Sequence, residues 1–428
     1  MEAESVVETG NRTRLSRRAS WAGGEPIANI LMAKALANPD IVSLAAGFVD
    51  QQSLPVEPTK KALDHLFADR TAALAALQYG TTIGYPPLRE VIAARMAEAD
   101  RSRPIDLDRI VVTAGSNQLL YLVADSILDP GDIVICGAPT YFVFLGTLQN
   151  LGARAVGVAC DDEGIIPEAV ESQLAHLAAR GESARVKAIY VTTYFDNPSG
   201  STVSADRRAK LVEIAKRYSK EHTIYVLEDM AYRELRYYGD DVPSLYSFDA
   251  ERTHVVAAGT FSKSFSPGIR VGWGILPDAL MEPVLSLKGN IDFGSPNWNQ
   301  TLMHLVVAHG WFDEHLEKLR ATYRTKIDTM LEAVDRHIAP VAPVHSIRPT
   351  GGLYVWLTLP EGIDTGVESP LFQAAVEEGV LYVPGGYCYP AEGCPAARNT
   401  LRLTIGMPDC EAIERGTAAL GRALQRVL

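Results

Sequence analysis

Between Gly259 and Trp273 the chain reads GTFSKSFSPGIRVGW. Its one lysine, Lys263, is set among Thr260, Ser262, Ser264 and Ser266 and is followed by Pro267, Gly268 and Arg270. Hydroxyls, loop backbone and a guanidinium suit a phosphate dianion, because they offer charge-assisted donors without bulk. A lysine beside them forms an imine with an aldehyde when burial or nearby cations lower its pKa. A phosphate next to an aldehyde describes pyridoxal phosphate. The alternative is a solvated lysine in a serine-rich turn, and this stretch alone leaves both open.

Other residues able to do chemistry stand at the ends of apolar runs. Gly115-Ser116-Asn117 follows Ile110 to Thr113, and Tyr141 follows Ile133 to Cys136. Asn197 opens an Asn-Pro-Ser-Gly turn after Ala188 to Thr192, Asp229 closes Ile224 to Leu227, and Lys263 follows Val255 to Ala258. Such runs, alternating with helical periodicity, predict an α/β domain on a mostly parallel sheet flanked by helices. In that architecture ligands bind at the carboxyl ends of the strands, so motifs distant in sequence meet at one rim. Gly115 to Asn117 opens the helix expected over 119–128, where free N–H groups and the macrodipole favour an anion. Each motif also has an ordinary reading: a helix cap, a turn, a solvated strand end, and for Arg402 the outward residue of a half-exposed strand.

The remaining elements supply the frame. Helices are expected over 25–37 (through Ile27, Ile30, Leu31, Ala35 and Leu36), over 59–68, and over 310–338 with a kink near Glu314. A smaller α+β domain follows, with strands over 351–357, 380–383 and 400–405 and helices over 369–378 and 410–424. The expected division is a flexible arm over 1–24 carrying Arg12, Arg14, Arg17 and Arg18, and a segment over 25–60 that joins the small domain. A large cofactor-binding domain over 61–310 and a small C-terminal domain over 311–428 complete it.

At 428 residues the chain has room for one large and one small domain. Its net charge of -12 argues against a nucleic-acid partner, which requires a basic footprint. No apolar run approaches a membrane span, and the N-terminus lacks the hydrophobic core of a signal peptide. Cys136, Cys160, Cys388, Cys394 and Cys410 have no metal-ligand spacing. They read as reduced thiols, so a cytoplasmic protein without a metal is expected.

In order and spacing the motifs resemble the fold-type I pyridoxal-phosphate-dependent aminotransferases of class I/II, particularly the branch of 2-aminoadipate and aromatic amino-acid aminotransferases. The resemblance runs from about Pro26 to the C-terminus. Its most specific part is Ser262-Lys263-x-x-x-Pro267-Gly268-x-Arg270-x-Gly272-Trp273, joined by Asn197-Pro198-Ser199-Gly200, Glu228-Asp229-x-x-Tyr232 and Leu401-Arg402-Leu403. It implies pyridoxal 5'-phosphate as cofactor, with Lys263 bonded to its aldehyde and serving as the catalytic base. Asp229 would pair with the protonated ring nitrogen, and Asn197 and Tyr232 would hydrogen-bond the ring oxygen. Tyr141 would stack on the ring. Gly115, Ser116, Asn117, Thr260, Ser262 and Arg270 would hold the phosphate. Tyr79 would reach the phosphate of a neighbouring subunit, which implies a C2 homodimer. Arg402 would grip the substrate α-carboxylate, with Gly47 and Asn197 nearby.

The chain departs from the family's usual pattern at Ala46-Gly47-Phe48-Val49, at Asp196, where glutamine is usual, and at Asp229-Met230-Ala231-Tyr232. All three touch the substrate side or loop shape. The expected reaction moves an amino group from an aromatic, large aliphatic or 2-aminoadipate-like L-amino acid to a 2-oxo acid, with 2-oxoglutarate as the acceptor by resemblance. Ile27, Ile30, Leu31 and Met32, with Phe48, Tyr387 and Tyr389, would wall the side-chain pocket, and Lys34 is the one charge among the helical positions. The rivals are a pyridoxal-phosphate lyase or decarboxylase on the same scaffold, and a regulator that only binds the cofactor. A regulator of that kind is expected to carry a DNA-binding domain ahead of this one, and about two dozen residues are too few for it.

Overall fold

The computed structural model describes residues 15–22, 27–38 and 40–428. Its centre is a nine-stranded sheet. Across it the strands run Glu392–Gly393, Arg154–Asp161, Ile133–Ala138, Val186–Thr192, Tyr225–Asp229, Val255–Thr260, Gly272–Ile275 and Ile110–Thr113, and Gly164–Ile165 pairs off Arg154–Asp161. The pairings are parallel except around Gly272–Ile275, which is antiparallel to both neighbours, and at Gly164–Ile165. The inner strands are apolar on both faces because helices cover both. Leu119, Val123, Phe144, Leu148, Leu280 and Val284 close one face, from the helices Ser116–Ile127, Phe142–Leu151 and Asp278–Asp292. The other core joins Ile92, Leu211, Val212, Met303 and Val306 to residues of the C-terminal part.

A three-stranded antiparallel sheet sets Thr400–Thr404 between Tyr354–Thr358 and Val383–Pro384, which places Arg402 opposite Trp356 and Val383. Beside it, Val42–Ser43 pairs in parallel with Val380–Leu381, so a segment from the start of the chain lies against the C-terminal part. The run expected as one strand over 380–383 is thus two short strands in different sheets. The helix expected from 310 begins at Trp311 and continues to His337 without a break. The bend lies before it, at Gly310, whose φ of 75° ends the preceding helix Asn297–Ala308. Within the expected arm, Arg17–Trp21 forms a short helix whose Arg18 pairs with Asp125 at 3.0 Å. Arg12 and Arg14 lie outside the described residues, as does the start of the helix expected from 25, which is seen as Ile27–Ala37.

The segment after Val42–Ser43 is pinned by a buried ion pair. Lys326 Nζ meets Asp50 Oδ1 at 2.8 Å, and the Asp50 amide donates to the Tyr323 hydroxyl at 2.9 Å. Removing one partner strands the other charge in a site with little water. Lys326→Ala should therefore cost about 3 kcal/mol or more in urea denaturation, while the paired change Asp50→Asn with Lys326→Met recovers most of the loss. A cost below about 1 kcal/mol would show that the pair is dispensable.

Candidate functional site

Five strand ends open on one cavity. Gly115, Ser116, Asn117, Tyr141, Asn197, Asp229, Tyr232, Thr260, Ser262, Lys263 and Arg270 all line it, together with Thr192, Ala231 and Pro267. The sheet explains the convergence, since Thr113, Ala138, Thr192, Asp229 and Thr260 end parallel strands at the same rim. Gly272 begins its antiparallel strand opposite both Thr113 and Thr260, which carries Arg270 to that rim as well.

One end of the cavity is built for an anion. Gly115, at φ 92°, precedes the helix Ser116–Ile127 without a side-chain cap, so its first amides point out unpaired by any capping side chain. A Cβ on Gly115 would meet Arg270 Nη2 at 2.6 Å, so only glycine lets the guanidinium come this close. Arg270 holds a left-handed backbone (φ 48°, ψ 47°) and donates to Ala114 O at 2.7 Å and to Pro267 O at 3.2 Å. Thr260 donates to Ser262 Oγ at 2.9 Å beside it.

Asp229 forms the floor. It is 4% exposed, and its carboxylate accepts from the Tyr190 hydroxyl at 3.0 Å and the Ala231 amide at 3.0 Å. Among the described residues no cation pairs with it. Burial pushes its pKa up to about 6, although both hydrogen bonds pull the other way. The Tyr141 pKa is raised, chiefly by burial, with Asn117 pulling the other way.

Lys263 Nζ donates to Gly47 O at 2.8 Å. Arg402 is 2% exposed: Nη1 donates to Asn197 Oδ1 at 2.7 Å and Nη2 to Ala45 O at 2.9 Å, while its buried Nε has no partner among the described residues, and neither Arg402 nor Gly47 lines the cavity itself. Tyr232 donates to the hydroxyl of Tyr354 at 3.2 Å, and the Arg402 guanidinium lies 4.3 Å over the Tyr354 ring. Tyr79 is elsewhere: it is 80% exposed, edge-on to Phe293, and does not line this cavity.

Sequence reasoning missed Tyr190 and Tyr354. A tyrosine inside an all-apolar strand is a usable signal, since its buried hydroxyl must find a partner. Tyr354 carried the same mark in the apolar run Leu353 to Leu357, and that run was read only as a strand. Asp196 does not line the cavity but braces the turn beside it, accepting from the Ser199 amide at 3.2 Å and hydroxyl at 2.7 Å.

These groups fit pyridoxal phosphate. A buried carboxylate without a cation suits a protonated pyridine nitrogen, the open helix end and Arg270 suit a phosphate, and an amine stands between them.

Known proteins agree with the geometry. The sequence profile of the family described as aminotransferase class I and II matches residues 39–420. An aromatic-amino-acid aminotransferase of Thermococcus litoralis is 33% identical over 392 residues, covering 92% of this chain and 90% of its own length. A 2-aminoadipate transaminase of Thermus thermophilus is 34% identical over 393 residues, covering 91% of each. The crystal structure of the Thermus thermophilus α-aminoadipate aminotransferase, complexed with N-(5'-phosphopyridoxyl)-L-leucine, superposes with a TM-score of 0.81 at 31% identity. It covers 96% of this chain and 97% of that one.

Because its folded pKa is raised, Asp229 holds its proton more tightly in the folded than in the unfolded chain. The stability this brings is complete below about pH 4 and is lost as the pH rises to about 6. A shift of about two units corresponds to about 3 kcal/mol. Without cofactor, Asp229→Asn should gain Tm relative to the unsubstituted chain between about pH 4 and 7. A Tm difference that stays flat across that range would show that Asp229 is not the titrating group.

Proposed function

The chain belongs to the class I and II aminotransferases, and on that premise we propose that it moves an amino group from an aromatic or large aliphatic L-amino acid to 2-oxoglutarate. The observation that carries this reading is the buried Arg402 Nε. Among the described residues it has no partner, and the two bonds made by the Nη atoms go to neutral acceptors, so the charge stands uncancelled beside Asn197, which lines the cavity of Lys263 and Asp229.

Pyridoxal phosphate, when bound, supplies an aldehyde that takes up the amino group and a ring that draws electrons from the substrate Cα. Arg402 binds the substrate α-carboxylate, and Asn197 keeps the guanidinium in plane. That grip would set the Cα–H bond toward Lys263, whose amine would hold the cofactor's aldehyde and act as the base for the Cα proton. Asp229 holds a positive charge on the ring nitrogen, and its ionised form is favoured as soon as that charge is present. Ser116, Asn117, Thr260, Ser262 and Arg270 hold the phosphate. Tyr141 and Tyr232 face the ring. Fixing the carboxylate at Arg402 also protects it from loss, which favours transamination over decarboxylation.

The donor reading rests on the groove that leads away from Phe142, whose ring lies 5.6 Å from the Arg402 guanidinium. Trp21, Ile27, Tyr387 and Tyr389 line this groove, and its charged residues Arg154 and Glu392 are paired with each other at 2.7 Å. Lys34 is turned away, its amine 5.8 Å over the ring of Phe372. An apolar wall favours apolar side chains by about 25 cal/mol per Å² and leaves a distal carboxylate unpaired. Comparing kcat/KM for phenylalanine, leucine, 2-aminoadipate and aspartate with 2-oxoglutarate tests it, with Lys263→Ala as the inactive control. Phenylalanine or leucine should lead aspartate by at least about tenfold, or 1.4 kcal/mol. A lead by either acidic donor would overturn the apolar reading.

Tyr79 completes the phosphate site of a second copy in this reading, which makes the working form a C2 homodimer. In support, Tyr79 packs on exposed Phe293, and Leu74, Leu77 and Ile291 in the same segments are exposed too. Sedimentation should give a dimer, and Tyr79→Phe should loosen cofactor binding. A fully active monomer would refute the shared site.

A further inference from the structure

Tyr354 is buried at the meeting point of three residues already placed in the site. It is 2% exposed, its ring lies under the Arg402 guanidinium at 4.3 Å, and its edge meets the Tyr232 ring at 5.6 Å and 81°. Its hydroxyl is 3.2 Å from that of Tyr232. A Cβ on Gly47 would come within 3.1 Å of the same hydroxyl, so the glycine leaves it room. Phenylalanine would supply the same ring to Arg402 and the same edge to Tyr232. The hydroxyl is therefore the part that packing does not explain.

We propose that Tyr354 is a positioning residue that carries the charge of Arg402 to the cofactor side of the site, by donating its phenolic proton to Tyr232. The proposal rests on the reading in which Tyr232 hydrogen-bonds the cofactor's ring oxygen. A phenol has one proton and can also accept. Once Tyr232 turns its proton to that oxygen, it can no longer donate to Tyr354 and accepts from it instead. The chain of donors then runs Tyr354 to Tyr232 to ring oxygen, and each link polarises the next.

The surrounding charges set that direction. The ionisable groups nearest Tyr354 are Arg402 on Thr400–Thr404, Lys263 after Val255–Thr260, Tyr232 after Tyr225–Asp229, and Cys388 in the turn 385–388. Tyr141 also acts on Tyr232, and Tyr323 lies toward Tyr354 from the long helix. Burial alone would raise the Tyr354 pKa, yet Arg402 and Lys263 bring it below the ordinary tyrosine range. Burial pushes that of Tyr232 well up. The cation lying over its ring makes Tyr354 the stronger donor of the pair.

The readout is the pH midpoint at which the visible absorbance of the bound cofactor changes, measured on the full-length loaded protein. Donors to the ring oxygen stabilise its fully anionic form, so the proton beside it leaves at lower pH, and losing a donor raises the midpoint. Tyr232→Phe should raise it by about one to two units. Tyr354→Phe should raise it by about a quarter of that, the share expected of one cooperative link. The double variant should match Tyr232→Phe alone. Replacing residue 354 with 3-fluorotyrosine, a stronger phenolic donor of nearly the same shape, should lower the midpoint instead, and it serves if the phenylalanine variant does not fold. An unmoved midpoint in Tyr354→Phe, or the same Tyr354→Phe shift with and without the Tyr232 hydroxyl, overturns the relay while leaving Tyr232 in place. An unmoved midpoint in Tyr232→Phe overturns the reading of Tyr232 and the relay with it.

Discussion

A guanidinium almost wholly out of water is the constraint around which this molecule closes. Arg402 would be very costly to bury unpaired, and the groups that solvate it come from three stretches of chain. Its own strand brings it beside the aromatic face of Tyr354, Ala45 offers a carbonyl from the N-terminal segment, and Asn197 offers its side-chain oxygen from the large sheet. Two of these groups are neutral acceptors and the third is a ring face, so the charge is solvated by dipoles and never cancelled. A cation held that way keeps its appetite for an anion.

Adjacent acids at the end of one strand show how the pleat divides labour. Glu228 points into the body, where the Thr193 hydroxyl and the Leu245 and Tyr246 amides donate to it and Arg208 stands 4.0 Å away. Asp229, one residue on and therefore on the other face, receives only neutral donors and opens on the cavity. The first is satisfied within the fold, and burial still raises its pKa against the pull of Arg208. The second is left wanting a positive charge. Their difference in role follows from a single step along the backbone.

What could be read from sequence alone was whatever depends on short range. Apolar runs ending in Gly115, Asn197, Asp229 and Lys263 place those residues at strand ends whichever way the strands are ordered, because the rim is common to all parallel strands. Long-range pairing carries no such local mark. Val380 to Val383 looks like one strand, and only its neighbours divide it between Val42–Ser43 and Thr400–Thr404. The helix Arg70–Leu77 escaped notice although Asp69 caps it, since its alanine-rich face has little periodicity. The partners of Tyr354 were invisible for the same reason: Arg402 and Tyr232 are brought to it by two different sheets.

The N-terminal segment from Val42 to Asp50 has a consequence in time. Ala45 is made before the arginine that binds its carbonyl, which lies 357 residues later. At about 5 to 20 residues per second the ribosome needs roughly 20 to 70 seconds to cover that distance. Through that interval the large sheet can complete its strands and the segment can meet Lys263, Tyr323 and Lys326, while the last of its partners is still to be made. A translation product interrupted before Arg402 would therefore carry most of the fold and lack the guanidinium that ties Ala45 to Asn197.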